Sequence, residues 1–175
     1  MRASVFIATT ADGFIARKNG DLDWLTGPDT GGETFGFNEF IASVDALVMG
    51  RTTFDFVQQA GEWPYGDTPV FVLTHRDLEL PPEFPGAVEA LEGLPNEVAA
   101  ELAARGIHHV YVDGSETIQS FLRAGLVKRI IITQVPVLIG EGISLFGPLD
   151  SDLDLHLIRS RSYANHWLQV EYEVF

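Results

Sequence analysis

The chain has 175 residues, 46% hydrophobic and 21% charged, which provides enough apolar matter for one packed domain and argues against disorder. Its 11 lysines and arginines stand against 25 aspartates and glutamates, a formal net charge of −14; that balance excludes a nucleic-acid partner and leaves any bound anion to a few local donors. Cysteine is absent, so disulfides, iron–sulfur clusters and thiolate catalysis are excluded.

The first apolar run is too short for a signal peptide, and no later run approaches the ~20 residues of a membrane span. A cytoplasmic protein without a membrane partner is expected. In chain order, residues 4–9 read as a buried strand ended by the turn Ala11-Asp12-Gly13. Phe37, Phe40, Ile41 and Val44 recur at helical spacing and place one apolar stripe on a helix. Residues 46–49 form a strand, 52–60 a helix and 70–73 the next strand. Three prolines within residues 81–86 make a loop. A short strand at 88–91 precedes a helix at 96–105, which Gly106 stops. Residues 109–112 then form a strand and 116–124 a helix, stopped by Gly125. Residues 129–135 are a β-branched run. Alternation of polar and apolar residues over 152–157 and 168–174 predicts half-exposed antiparallel strands, joined near Ala164 and Asn165. Strand and helix patterns in alternation give a mainly parallel sheet with an antiparallel edge.

Two glycine turns stand out, Gly50-Arg51-Thr52-Thr53 and Asp113-Gly114-Ser115-Glu116. Each follows an apolar strand and opens a helix, where unpaired N–H groups and the positive end of the helix dipole make an anion site. Two such turns in one chain point to a cofactor with a diphosphate. Arg51 can clamp a phosphate, with a capped helix and a solvated arginine as the plain alternative. Leu73-Thr74-His75-Arg76 ends the next strand at the same sheet edge. Its polar groups suit a ribose phosphate, and Arg51 with Arg76 would favour a phosphorylated nicotinamide cofactor; a polar surface loop explains His75 equally well. Acidic residues such as Glu116 are ordinary in a first helical turn.

Asp12 could place a carboxylate in a central cleft, although aspartate in an Asp-Gly turn more often serves its own backbone. Trp24, in a loop cluster with Asp21 and Asp23, could cover a planar ring, with a partly buried surface tryptophan as the plain alternative. The five histidines show no metal-ligand spacing, so no metal is expected. No Gly-x-Ser-x-Gly elbow occurs. The segment Pro136-Val137-Leu138-Ile139-Gly140-Glu141-Gly142 reads as a loop contributing to the cleft.

Taken in order, Thr9-Thr10-Ala11-Asp12-Gly13-Phe14-Ile15-Ala16, Val48-Met49-Gly50-Arg51-Thr52-Thr53-Phe54, Val72-Leu73-Thr74, Val112-Asp113-Gly114-Ser115 and the Pro136 to Gly142 segment resemble the dihydrofolate reductase-like superfamily. Within it the chain resembles the branch that includes the C-terminal reductase domain of the bifunctional riboflavin-biosynthesis deaminase-reductase. The resemblance implies an α/β fold with a mixed, mostly parallel central sheet flanked by helices, an antiparallel C-terminal hairpin, and NADPH across the carboxyl ends of the strands. It implies that Arg51, Thr52 and Thr53 hold cofactor phosphates, that Thr74 and His75 meet the adenosine end, and that Gly114 and Ser115 hold the diphosphate. Ala8 would lie near the nicotinamide and Asp12 at the substrate site.

The family has a Gly-Gly pair where this chain has Asp113-Gly114, which puts a carboxylate beside the diphosphate. Folate reductases proper place an acid where this chain has Gly36 or Phe37, so folate reduction is not expected. The expected activity is NADPH-dependent reduction of a small planar pyrimidine or pterin, resembling 5-amino-6-(5-phosphoribosylamino)uracil reductase. A noncatalytic nucleotide-binding module and a true dihydrofolate reductase are the alternatives. The substrate would lie beside the nicotinamide among Asp12, Trp24, Phe37 and Phe40. The exposed terminal hairpin predicts a homodimer.

Overall fold

The computed structural model describes residues 1–28 and 30–175. In chain order its elements are β1 (Arg2–Thr10), β2 (Phe14–Ala16), α1 (Asp23–Thr26), α2 (Phe37–Ile41), β3 (Ala46–Gly50), α3 (Arg51–Ala60), β4 (Val70–Leu73), β5 (Val88–Leu91), α4 (Pro95–Ala104), β6 (His109–Asp113), α5 (Ser115–Arg123), β7 (Val127–Val135), β8 (Ile143–Ser144), β9 (Leu155–Ser162) and β10 (Leu168–Val174). The main sheet runs β5-β4-β3-β6-β1-β7-β10-β9, while β2 and β8 form a separate ribbon. From β5 to β7 every neighbouring pair is parallel, and β10 is antiparallel to both β7 and β9. This is the mixed, mostly parallel sheet with a terminal hairpin that the sequence predicts.

Parallel neighbours need crossover connections, and these lay helices on both faces. That is why Ala46, Leu47, Val48 and Met49 are all buried and show no alternation. On one face Val48 and Val112 pack with Val98 and Leu102 of α4 and with Ile118 and Phe121 of α5. On the other, Leu47, Met49 and Tyr111 pack with Phe40 of α2 and Phe54 of α3. The chain leaves β3 through α3 towards β4, and leaves its neighbour β6 through α5 in the opposite direction, past β1 to β7. Where two adjacent strands send their helices to opposite faces and opposite sides, a crevice opens beyond their carboxyl ends.

Two expectations are corrected. The helix begun at Phe37 ends at Ile41, and Val44 lies in a turn in which the Ser43 hydroxyl donates to the Phe40 carbonyl. The hairpin does turn between Ser162 and Leu168, but β9 is exposed at every residue instead of half-buried. A tight turn joins β9 to β10, so no crossover helix exists to cover it. The ribbon of β2 and β8 and the four-residue α1 are too short to leave a periodic pattern.

Candidate active site

The two glycine corners meet. Gly50 and Gly114 stand at the N-caps of α3 and α5 and end neighbouring strands, with Met49 paired to Asp113. Gly114 has φ +91° and ψ 136°, a region essentially reserved for glycine. A Cβ there would lie 2.4 Å from Thr53 Oγ1, and a Cβ on Gly50 would lie 3.2 Å from Thr117 Oγ1. Each glycine thus faces a threonine in the first turn of the other helix. Neither helix has a side-chain cap hydrogen bond, so the N–H groups of Arg51, Thr52 and Thr53 and of Ser115, Glu116 and Thr117 have no acceptor within their helices. Two positive dipole ends border one groove.

Other residues of the corners are engaged locally. Arg51 donates from Nε to Asp55 at 2.7 Å and from Nη1 to the Asp77 carbonyl at 3.0 Å. Arg51, expected to clamp a phosphate, is paired here with the aspartate at i, i+4, a pairing whose spacing is visible in the sequence. The Ser115 hydroxyl donates to the Ser144 carbonyl at 2.6 Å, leaving its amide as the group available to an anion. Leu73 is paired with Gly50 and extends the groove towards Thr74. Thr74 is buried and accepts the Arg76 N–H at 3.0 Å. His75 is exposed, with Nδ1 3.0 Å from Glu92, and Arg76, Thr52 and Glu116 are exposed as well. Asp113 Oδ1 accepts the Gly114 N–H at 2.8 Å. Burial pushes the Asp113 carboxyl up to about 6, against the opposing pull of that N–H.

One strand beyond the groove, β1 and β7 carry the floor of a cleft. Ala8 is in register with Thr133, Thr133 with Gln169, and Gln169 with Arg161. A cavity of about 420 Å³ over this row is lined by Phe6, Ala8, Leu25, Phe35, Thr133 and Trp167, a size and composition suited to a small ring compound. Gln169 Nε2 donates to Thr133 Oγ1 and to the Phe35 carbonyl, each at 2.9 Å. Trp24 is buried against Val135 and Trp167, with Ala8 packed alongside. Its buried indole N–H has no acceptor among the described residues, a deficit of about 1–3 kcal/mol. Phe40 lines a neighbouring cavity of about 460 Å³. Phe37 is half-buried and packs edge-on against Phe6 and Tyr111.

Asp12, expected at the substrate site, is bonded to Thr10 and to the Gly140 loop. Its carboxylate accepts the Thr10 hydroxyl at 2.6 Å and the N–H groups of Gly140 at 2.8 Å and Ile139 at 3.1 Å. The Thr10 hydroxyl above all holds its carboxyl below the ordinary range. Asp12 is thus an ionised clasp on the Gly140 loop and lines neither cavity, a poor source of a proton near neutral pH. Among the described residues no group of histidines and carboxylates is arranged to hold a metal. Thr133, Gln169 and Arg161 carry no motif, since only strand register brings them to Ala8.

Residues 4–169 match the family model described as the RibD C-terminal domain. A solved structure from Shewanella sp. PV-4, named for riboflavin biosynthesis, is 40% identical, with a TM-score of 0.91 over 100% of this chain and 99% of that one. The Bacillus subtilis protein YwjB, itself uncharacterised, is 28% identical over 91% of each chain. The riboflavin biosynthesis protein RibD of Corynebacterium ammoniagenes is 30% identical over 83% of this chain and 46% of its own length.

Proposed function

Because the chain belongs to the RibD C-terminal domain family, we propose that it is an NADPH-dependent reductase of a small planar polar molecule of the pyrimidine or pterin kind. One observation carries this reading: the groove between two uncapped helix N-termini lies one strand from a ring-sized cavity. The first-turn amides of α3 and α5, with the Thr53 and Thr117 hydroxyls, would hold a diphosphate. Thr74, His75 and Arg76 would meet the adenosine end. When bound, NADPH supplies the hydride. The chain's own residues position the substrate ring over Ala8, exclude water with Phe35 and Trp167, and fix the polar edge of the ring through Thr133. Asp12 is committed to its loop, so the proton that balances hydride transfer comes from solvent.

Tryptophan fluorescence titration tests the reading. NADPH is expected to bind with a dissociation constant in the micromolar range, about −8 kcal/mol, and NADH about tenfold more weakly. Arg76→Ala is expected to remove most of that difference, because among the described residues no carboxylate is paired with Arg76. Failure of both nucleotides to bind would overturn the assignment, and equal binding of both would overturn the preference.

We also propose that two copies associate through β9. It is the outermost strand of the sheet, and Leu155, Leu157 and Ile158 are exposed on it, a combination that invites pairing with another strand. Light scattering at micromolar concentration is expected to report about twice the chain mass; a monomer at that concentration refutes the association.

A further inference from the structure

Two side chains, Phe6 and Phe35, line both the 420 Å³ ring cavity and its 460 Å³ neighbour and so divide one cleft from the other. Phe6 belongs to β1, where pairing with Ile131 of β7 fixes its backbone. Phe35 is held differently. It lies in the loop before α2 with φ +55°, a left-handed conformation that strains a bulky residue and persists only where the surroundings impose it. Its ring stacks on Trp167, with centroids 4.8 Å and planes 15° apart, and meets Tyr163 edge-on at 4.7 Å. Its carbonyl accepts Gln169 Nε2 at 2.9 Å, and its N–H donates to the exposed Glu33 carboxylate at 3.0 Å. Gly31, Gly32 and Gly36 in the same loop also have positive φ, so Phe35 is the one left-handed position there that carries a side chain. A glycine at 35 would be free of strain. The phenyl ring is therefore present at a cost in backbone energy, and residues held in this way cluster at ligand clamps and switches.

We propose that Phe35 is a gate that sets the length of the ring system the ring cavity accepts: closed, as in this structure, it bars the way into the neighbouring cavity, and without its ring the two become one space. The inference rests on the ring cavity being the substrate site of the reductase reading, and it adds a size limit to that site. Ala8, Thr133 and Gln169 lie in one row across β1, β7 and β10. About two strand spacings, or about 10 Å, thus run from Ala8 to the strand whose Gln169 holds the Phe35 carbonyl. A flat compound lying along that row has room for two fused rings, and a third meets Phe35. Opening the gate breaks the Gln169 bond and the two ring contacts. Release of the strain offsets part of that cost, and the neighbouring glycines absorb the rotation.

Equilibrium dialysis with lumazine and lumichrome, followed by their own fluorescence, tests the gate. The two compounds share a pyrimidinedione end and have two and three fused rings. The parent chain is expected to bind lumichrome at least about tenfold more weakly than lumazine, and Phe35→Gly to remove that step. Phe35→Ala should remove it as well but unfold at a lower urea concentration than Phe35→Gly, the reverse of the ordinary order, because only glycine is unstrained at φ +55°. Should Phe35→Gly fail to fold, Gln169→Met carries the test: it deletes the donor to the Phe35 carbonyl, keeps the phenyl ring in the chain, and should narrow the step. Equal affinity for the two compounds in the parent chain, or no binding of either, overturns the inference. So does a step that survives Phe35→Gly or, where that variant does not fold, Gln169→Met, and so does an alanine variant more stable than the glycine one. If NADPH fails to bind the parent chain while Phe35→Gly removes the step, the reductase reading falls and the gate stands.

Discussion

Gly114→Ala is expected to weaken NADPH binding at least about 30-fold and to lower the unfolding free energy by about 1–3 kcal/mol, the cost of a non-glycine residue in this backbone region. The added methyl would lie 2.4 Å from Thr53 Oγ1, so Thr53 must rotate or α3 must withdraw from α5. Either response disturbs the groove in which the two N-termini converge. Gly125→Ala is the control. Gly125 follows the other end of α5 and has φ +69°, and a methyl group added there would meet nothing within 4 Å. That variant should lose about 1 kcal/mol of stability through backbone strain with cofactor affinity unchanged. Titration and urea unfolding of the two variants separate the effects. Unaltered NADPH affinity in Gly114→Ala would show that the corners do not grip the diphosphate.

Asp113→Asn should tighten NADPH binding at pH 8 by about tenfold, ~1.4 kcal/mol, because it removes a like charge from beside the diphosphate. The amide keeps an oxygen that can accept the Gly114 N–H, so the turn is preserved. The carboxyl sits at about 6 against an ordinary 3.8. Its ionised form is thus disfavoured in the folded state, and its contribution to stability falls as pH rises from about 4 through 6. Asparagine should consequently raise stability at pH 8, by up to about 3 kcal/mol, and leave it little changed below pH 4. The cofactor's own phosphate titrates near 6, so the informative quantity is the ratio of affinities of the variant and the parent chain. That ratio should shrink towards unity between pH 8 and pH 5. A ratio independent of pH would place Asp113 outside the field of the bound diphosphate.

The glycine corners and the strands that lead to them are legible in the chain because they are local. An apolar run, a glycine and a helical pattern occupy a dozen consecutive residues at Gly50 and again at Gly114, and the chemistry of a helix N-terminus needs nothing further. The same locality shows at Arg51, whose charge suits a phosphate and which pairs with Asp55 one helical turn away. The partners of Asp12 are not local, since the amides of Ile139 and Gly140 that its carboxylate accepts lie more than 120 residues further along the chain.

Composition, periodicity and turn chemistry by themselves determined an α/β sheet with a terminal hairpin, two glycine corners that open helices, and the exclusion of thiolate chemistry. Tertiary structure alone decided that β3 and β6 are neighbours whose helices depart to opposite faces, so that Thr53 meets Gly114 and Thr117 meets Gly50. It also aligned Ala8, Thr133, Gln169 and Arg161 in one row. The division follows from range: dihedral preference and hydrophobic spacing act over a few residues, whereas strand order and register arise from burial of surfaces far apart in the chain.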